Sequence, residues 1–291
     1  MEKNPKKKKT VKRLSTEIVA SYSGKIATGR FENCSPFFSL KETWSGGMDD
    51  AAISIRQKQL SALCAEKFEE VEKKELVAKI RAERKDIRFY SIGNDSYPSV
   101  TSIINWDGDF EEKTRHITPD QMKQYAARGT IIHKQVSVFL ETGKWKDAKE
   151  IPELRIYRVI LNKGSLGLTT DGYDFRGFYE KYPFEFIKSE QTVSNKDKRY
   201  AGTYDIKGIL DGKVTLFDVK TGSSINRANA FQQLSAYSHC KGNEDVQQLV
   251  VIPLNSTTKQ GFSTPAIEQD TEKYWGAFLE SRKFFEERYG A

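Results

Sequence analysis

Cysteine is scarce: Cys34, Cys64 and Cys240 are the only three among 291 residues. They lie far apart, form no C-x-x-C pair and are odd in number. That removes the zinc-finger and iron–sulfur readings and makes reduced thiols the simplest state. Long apolar runs are missing as well, since no stretch approaches the roughly 18 residues of a membrane-spanning helix, and no membrane partner is expected. Met1 to Arg13 is lysine-rich but has no apolar segment after it, so it does not read as a secretory signal, and an intracellular location is expected. The composition, 37% hydrophobic and 30% charged, is that of a globular chain long enough to bury a sizeable core.

A generally basic surface is also lacking. The net charge is +7, but seven basic residues against the single acid Glu2 lie between Met1 and Arg13, so +6 of it belongs to that tail. The body is nearly neutral. The tail reads as disordered, and it could tether polyanions with a salt-dependent, sequence-blind affinity or merely solubilise the chain.

Residues 14–90 read as an accessory module. Ile18 to Tyr22 and Phe37 to Leu40 alternate with period two between Gly24, Gly29 and Pro36, which predicts short strands. From about Asp49 to Arg84, Ile53, Leu60, Leu63, Cys64 and Phe68 recur at mostly helical spacing, which predicts one long amphipathic helix or two. This module could dock a protein partner.

The main domain, residues 91–291, mixes strands and helices, an α/β (α+β) class. Thr118-Pro119-Asp120-Gln121 is a helix start, with Thr118 capping, Pro119 in the first turn and Gln121 completing a capping box. The helix should reach about Glu141, with Gly143 beyond its end. Met122, Tyr125, Ala126, Gly129, His133, Val136 and Leu140 recur at spacings of three and four, which places His133 on a buried stripe. There it is either a core residue bonded to a carbonyl or a ligand, and Gly129 one turn earlier makes room for close helix–strand packing or for a ligand at the imidazole.

Asp211-Gly212 stands between two alternating runs, Tyr204 to Leu210 and Lys213 to Lys220, the signature of a two-residue type I′ hairpin. Counting outward from Leu210 opposite Lys213 brings Asp205 opposite Asp218 on one face, with Cβ atoms ~5 Å apart. Opposed carboxylates repel, so a cation is expected between them. Lys220, two residues after Asp218 on the same face, supplies part of it, and two such oxygens also suit a hard divalent ion completed by water and phosphate oxygens. A strand ends near Glu190 upstream. Downstream, a helix from about Arg227 to His239 carries Gln233 and Tyr237 four apart, a polar pair that could bind a sugar–phosphate backbone or support the lysine. Leu249 to Leu254 reads as a strand covered on both faces, and Asp270 to Tyr289 as an amphipathic helix lying over the sheet.

The order His133, Glu190, Gly202-x-x-Asp205, Asp218-x-Lys220, Gln233-x-x-x-Tyr237 resembles the PD-(D/E)XK nuclease superfamily and, within it, the RecB-like exonucleases. Tyr97-Pro98-Ser99-Val100-Thr101-Ser102-Ile103 with Gly129-Thr130-x-x-His133 looks most like the branch holding the mitochondrial genome maintenance exonuclease and phage relatives. The likeness covers about residues 97–255, and the four-cysteine cluster of some other branches is missing. It implies a restriction-endonuclease-like core, a mixed sheet flanked by helices. It implies that His133, Asp205 and Asp218 ligate Mg²⁺ or Mn²⁺, that Lys220 orients or activates the attacking water, that Gln233 and Tyr237 support the site, and that Glu190 lines it or helps hold the metal. The expected function is a metal-dependent exonuclease acting on single-stranded DNA or DNA ends, in recombination, repair or phage DNA processing. The alternative is a catalytically silent nucleic-acid-binding subunit that docks a partner through residues 14–90.

Overall fold

The computed structural model describes residues 15–23, 26–27, 33–34, 37–45, 50–84, 87–106, 114–222 and 224–290. The basic tail, Gly24, Gly29 and Pro36 lie outside the described residues. Contacts divide the chain into a unit up to Lys85 and a unit Asp86–Gly290.

In the first unit β1 (Ser15–Ser23) pairs antiparallel with β4 (Phe37–Ser45) along nine residues each, and the two-residue strands β2 (Ile26–Ala27) and β3 (Asn33–Cys34) pair with each other. The main strands are longer than the apolar patches suggested, because main-chain pairing continues through polar positions such as Glu17–Thr43. One helix follows, α1 (Asp50–Glu83), whose 34 residues contain neither glycine nor proline to end it. Leu60 and Cys64 are buried on it, with Ile53 and Leu40 of β4 against them. Leu63, expected on the same stripe, is 42% exposed.

The second unit opens with the hairpin β5 (Phe89–Ile92) and β6 (Asp95–Pro98), then α2 (Val100–Ile104), capped by the Ser99 side chain. The capping box at Thr118 forms as expected and starts α3 (Pro119–Thr142), which ends on Gly143 at φ 69°. Two shorter helices, α4 (Arg155–Lys163) and α5 (Phe175–Lys181), lead into a sheet made of β7 (Glu185–Asn195), β8 (Tyr200–Leu210), β9 (Lys213–Lys220), β10 (Gln248–Pro253) and β11 (Ala266–Glu268). The strand order is β11-β10-β9-β8-β7, and only the β9–β10 pair is parallel. Between those two strands the chain forms α6 (Arg227–Ser238), a strand–helix–strand unit, and α7 (Trp275–Tyr289) closes the order. The result is a five-stranded mixed sheet flanked by helices. Among the described residues no helix is long and apolar enough to cross a membrane.

The period of two sorts the sheet into faces. Ile206, Phe217, Val219, Val250 and Ile252 form one core with Ile132 and Val136 of α3 and Phe175 and Phe178 of α5. Leu216, Asp218 and Lys220 alternate with Phe217 and Val219, so they belong to the other face, where Lys220 meets Gln233 of α6. All six residues of β10 are buried, as the continuous apolar run predicts for a strand covered on both sides.

An aromatic layer surrounds α5 in the first core. Phe178 is 1% exposed and touches the rings of Phe175, Tyr182 and Phe262. Phe178→Ala should therefore lower stability by about 3–5 kcal/mol, read from urea unfolding followed by circular dichroism.

Candidate metal centre

The Asp211-Gly212 turn has both residues at positive φ, 51° and 76°, as a type I′ turn requires. The register it sets runs from Leu210–Lys213 to Ile206–Phe217 and stops one pair short of Asp205 and Asp218. Hydrogen-bonded pairs alternate along an antiparallel ladder, so the next would join Val219 to Tyr204. Instead the Val219 N–H donates to Asp205 Oδ2 at 2.6 Å. A strand N–H points along the sheet, so this carboxylate lies in the line of the ladder, and its Oδ1 meets His133 Nδ1 of α3 at 3.3 Å.

On the other edge of β8, Ser189 pairs with Ile206 and Gln191 with Tyr204, which places Glu190 across from Asp205. A register shift between Phe186 and Lys188 precedes it, and Glu190 itself is at φ 50°, a left-handed conformation that non-glycine residues rarely hold. Its Oε1 lies 3.9 Å from His133 Nδ1. Glu190, Asp205 and Asp218 thus form a transverse row over three strands. The ligand atoms of His133, Glu190 and Asp205 lie within 4.8 Å of one another.

Asp218 is almost fully buried, and Lys220 Nζ lies 2.9 Å from each of its oxygens. Only Oδ1 is approached along a hydrogen-bonding direction, and the buried Oδ2 accepts no hydrogen bond. The ammonium also donates to Gln233 Oε1 at 3.3 Å, and Gln233 Nε2 donates to the Tyr237 hydroxyl at 3.1 Å. Of the two roles open for this polar pair, supporting the lysine is the one its contacts describe. Gly202 completes the chain: a Cβ there would lie 2.3 Å from Tyr237 Cε1, so the absence of a side chain seats the ring.

The electrostatics follow from three carboxylates, the buried Asp218, the partly buried Asp205 and the exposed Glu190, facing two cations. Burial opposes charge on His133, but Asp205 foremost, then Glu190 and Asp218, outweigh it and raise its pKa to about 9. Burial works against ionising Asp205 too, yet the imidazolium, Lys220 and the Val219 N–H hold its pKa below the usual range. Asp218 is pushed up by burial and by Asp205 against the pull of Lys220, and Glu190 by burial and Asp205. For Lys220, burial is outweighed by Asp218 and Asp205, so its pKa rises and the amine stays charged without a metal. One negative charge in excess, a buried carboxylate oxygen that accepts no hydrogen bond and a donor set of oxygens plus one imidazole suit a hard divalent cation.

All the site residues expected from the sequence, His133, Glu190, Asp205, Asp218, Lys220, Gln233 and Tyr237, fall in this region. His133 is not on a buried stripe, however. The face that α3 buries is Gln124, Ala127, Ile131, Ile132, Gln135, Val136 and Ser137, while Tyr125 and Ala126 are exposed and the His133 side chain is 27% exposed. Gly129 does not serve close packing, since a Cβ there would meet only Thr221 Oγ1 at an ordinary 3.6 Å. With Thr130, His133, Lys134 and Glu190 it lines a cavity of about 470 Å³. A second cavity, of about 290 Å³, reaches Lys220 and Gln233 from the side of Asn105 and Asn229. The seating role of Gly202 had no signal in the sequence beyond its place three residues before Asp205. Comparison of the sequence with protein-family models and with curated proteins gave no match.

Two outcomes are expected. Gly202→Ala should cost about 1–3 kcal/mol by overpacking against Tyr237, and a double-mutant cycle with Tyr237→Leu should recover part of it. In chelator, the His133 imidazole resonance should titrate near pH 9. The stabilisation from its ion pairs is complete below the unfolded value of about 6.5 and is lost as pH rises through 9, which thermal melts across that window check.

Proposed function

We propose that this chain is a metal-dependent nuclease that hydrolyses phosphodiester bonds in DNA, as an exonuclease on single strands or ends, and that Asp86–Gly290 is a restriction-endonuclease-like core. The observation carrying the reading is the convergence of a carboxylate row, an imidazole and a tethered lysine. Glu190, Asp205 and Asp218 lie across three adjacent strands, His133 stands 3.3 Å from Asp205, and Lys220 stands 2.9 Å from Asp218.

Mg²⁺ or Mn²⁺ would be held by His133, Glu190 and Asp205, with Asp218 Oδ2, which accepts no hydrogen bond, as a further oxygen. Such an ion would supply charge neutralisation at the phosphate and would lower the pKa of a bound water. The imidazole favours Mn²⁺ somewhat over Mg²⁺. Lys220 remains an ammonium group, fixed by Asp218 and Gln233, and is suited to stabilising negative charge on the phosphoryl oxygens. Tyr237 holds Gln233, which holds the lysine, so neither has to touch the substrate. Asp205 orients His133 and occupies the Val219 N–H, which keeps its carboxylate in one rotamer.

End-labelled DNA incubated with the purified protein in Mg²⁺ and in Mn²⁺ should be shortened, and intact DNA in both would refute the proposal. Asp218→Asn and Lys220→Ala should each lower the rate by at least about a hundredfold with an unchanged circular dichroism spectrum. Calorimetric titration with Mn²⁺ should show a site that Asp205→Ala removes.

A further inference from the structure

The apolar spacing on α3 divides: Val136 and Leu140 go to the core, and the earlier members do not. Met122, Tyr125, Ala126, Gly129 and His133 recur on one side of the helix, and that side is partly exposed: Tyr125 is 39% exposed and Ala126 is exposed. The strip leads into the metal centre. Tyr125 stands eight residues before His133, about 12 Å along the axis, and Gly129, Thr130 and His133 line the same cavity as Glu190.

A cation stands at each end of the strip. The Arg128 guanidinium sits between the rings of Tyr125 and Tyr173, 5.6 and 5.4 Å from their centroids. Among the described residues its one hydrogen bond is long, 3.5 Å from Nη2 to the Thr221 carbonyl, and its Nη1 donors are left to spare. Lys134 lines the cavity at the other end. An exposed aromatic ring stiffened by a guanidinium, small residues beside it and cations flanking it match the chemistry of a base-stacking platform with phosphate contacts.

We infer that this strip of α3 is the track for single-stranded nucleic acid: a base stacks on the face of Tyr125 opposite Arg128, Arg128 and Lys134 contact phosphates, and Ala126 and Gly129 let the backbone pass close to the helix on its way to His133. The assignment rests on the nuclease reading and specifies its substrate as an unpaired strand, whose bases alone are free to stack on a side chain.

The test is binding of fluorescent oligo-dT and oligo-rU to the full chain by anisotropy, with Ca²⁺ replacing Mg²⁺, alongside cleavage of the same strands in Mn²⁺. Tyr125→Ala should weaken binding of the favoured strand about tenfold or more, whereas Tyr125→Phe, which keeps the ring, should stay within about twofold. Preference for dT or rU decides between DNA and RNA, and either supports the track. Wild-type affinity in Tyr125→Ala, with cleavage intact, overturns the track and leaves the nuclease reading standing. Neither binding nor cleavage of any strand by the unaltered protein overturns both.

Discussion

The hydrogen bond from the Val219 N–H to Asp205 Oδ2 is the contact on which the site depends. A regular ladder would have given that N–H to a main-chain carbonyl and left the Asp205 carboxylate standing on the α6 face. By taking the place of the carbonyl, the carboxylate lies between the strands and turns its second oxygen toward α3. A helix on one side of the sheet and a lysine on the other thereby address the same row of acids. The cost is a ladder that ends early, and the left-handed Glu190 is a second local departure on the neighbouring strand.

Around that contact the charges are arranged so that no ion pair is complete. His133 is shared by Asp205 and Glu190, and Lys220 binds both oxygens of Asp218 but satisfies one. Such a cluster is poor as stabilisation, because each buried carboxylate loses hydration that its neighbours restore only in part. It is good as preorganisation for a cation. The relay from Tyr237 through Gln233 to Lys220 has no member that titrates at neutral pH, since burial raises the tyrosine hydroxyl well above its ordinary value and Asp218 and Asp205 raise the lysine. The relay sets position and leaves charge alone.

The α3 helix shows how a correct periodicity leads to a wrong face. Its spacing of apolar residues was legible, but the stripe divides: Val136 and Leu140 at its far end join Ile131 and Ile132 in the cores. The part containing Tyr125, Gly129 and His133 is left at the cavity. Gln124 and Gln135 are buried instead because their amides find partners, Asp120 and the Leu166 N–H for one and the Lys146 carbonyl for the other. Burial of those polar groups depends on segments remote in sequence, which no window along the helix reveals.

What the chain determines locally was readable from the letters alone. The Asp-Gly turn forces one register, a capping box and a following glycine bound α3, and an uninterrupted apolar run marks the strand covered on both faces, because each is a matter of backbone conformation over a few residues. The nearness of Asp205, Asp218 and Lys220 followed from that register, although the ladder itself stops one pair before the two acids. Tertiary structure alone decided the rest. β7 and β8 are joined by a four-residue turn, Lys196–Arg199, that carries no two-residue signature, and a register shift follows along the pair, so counting along the sequence does not place Glu190 opposite Asp205. The end of the ladder at Ile206, the half-exposed position of His133 and the seat of Tyr237 on Gly202 are set by how two helices and three strands share one small volume.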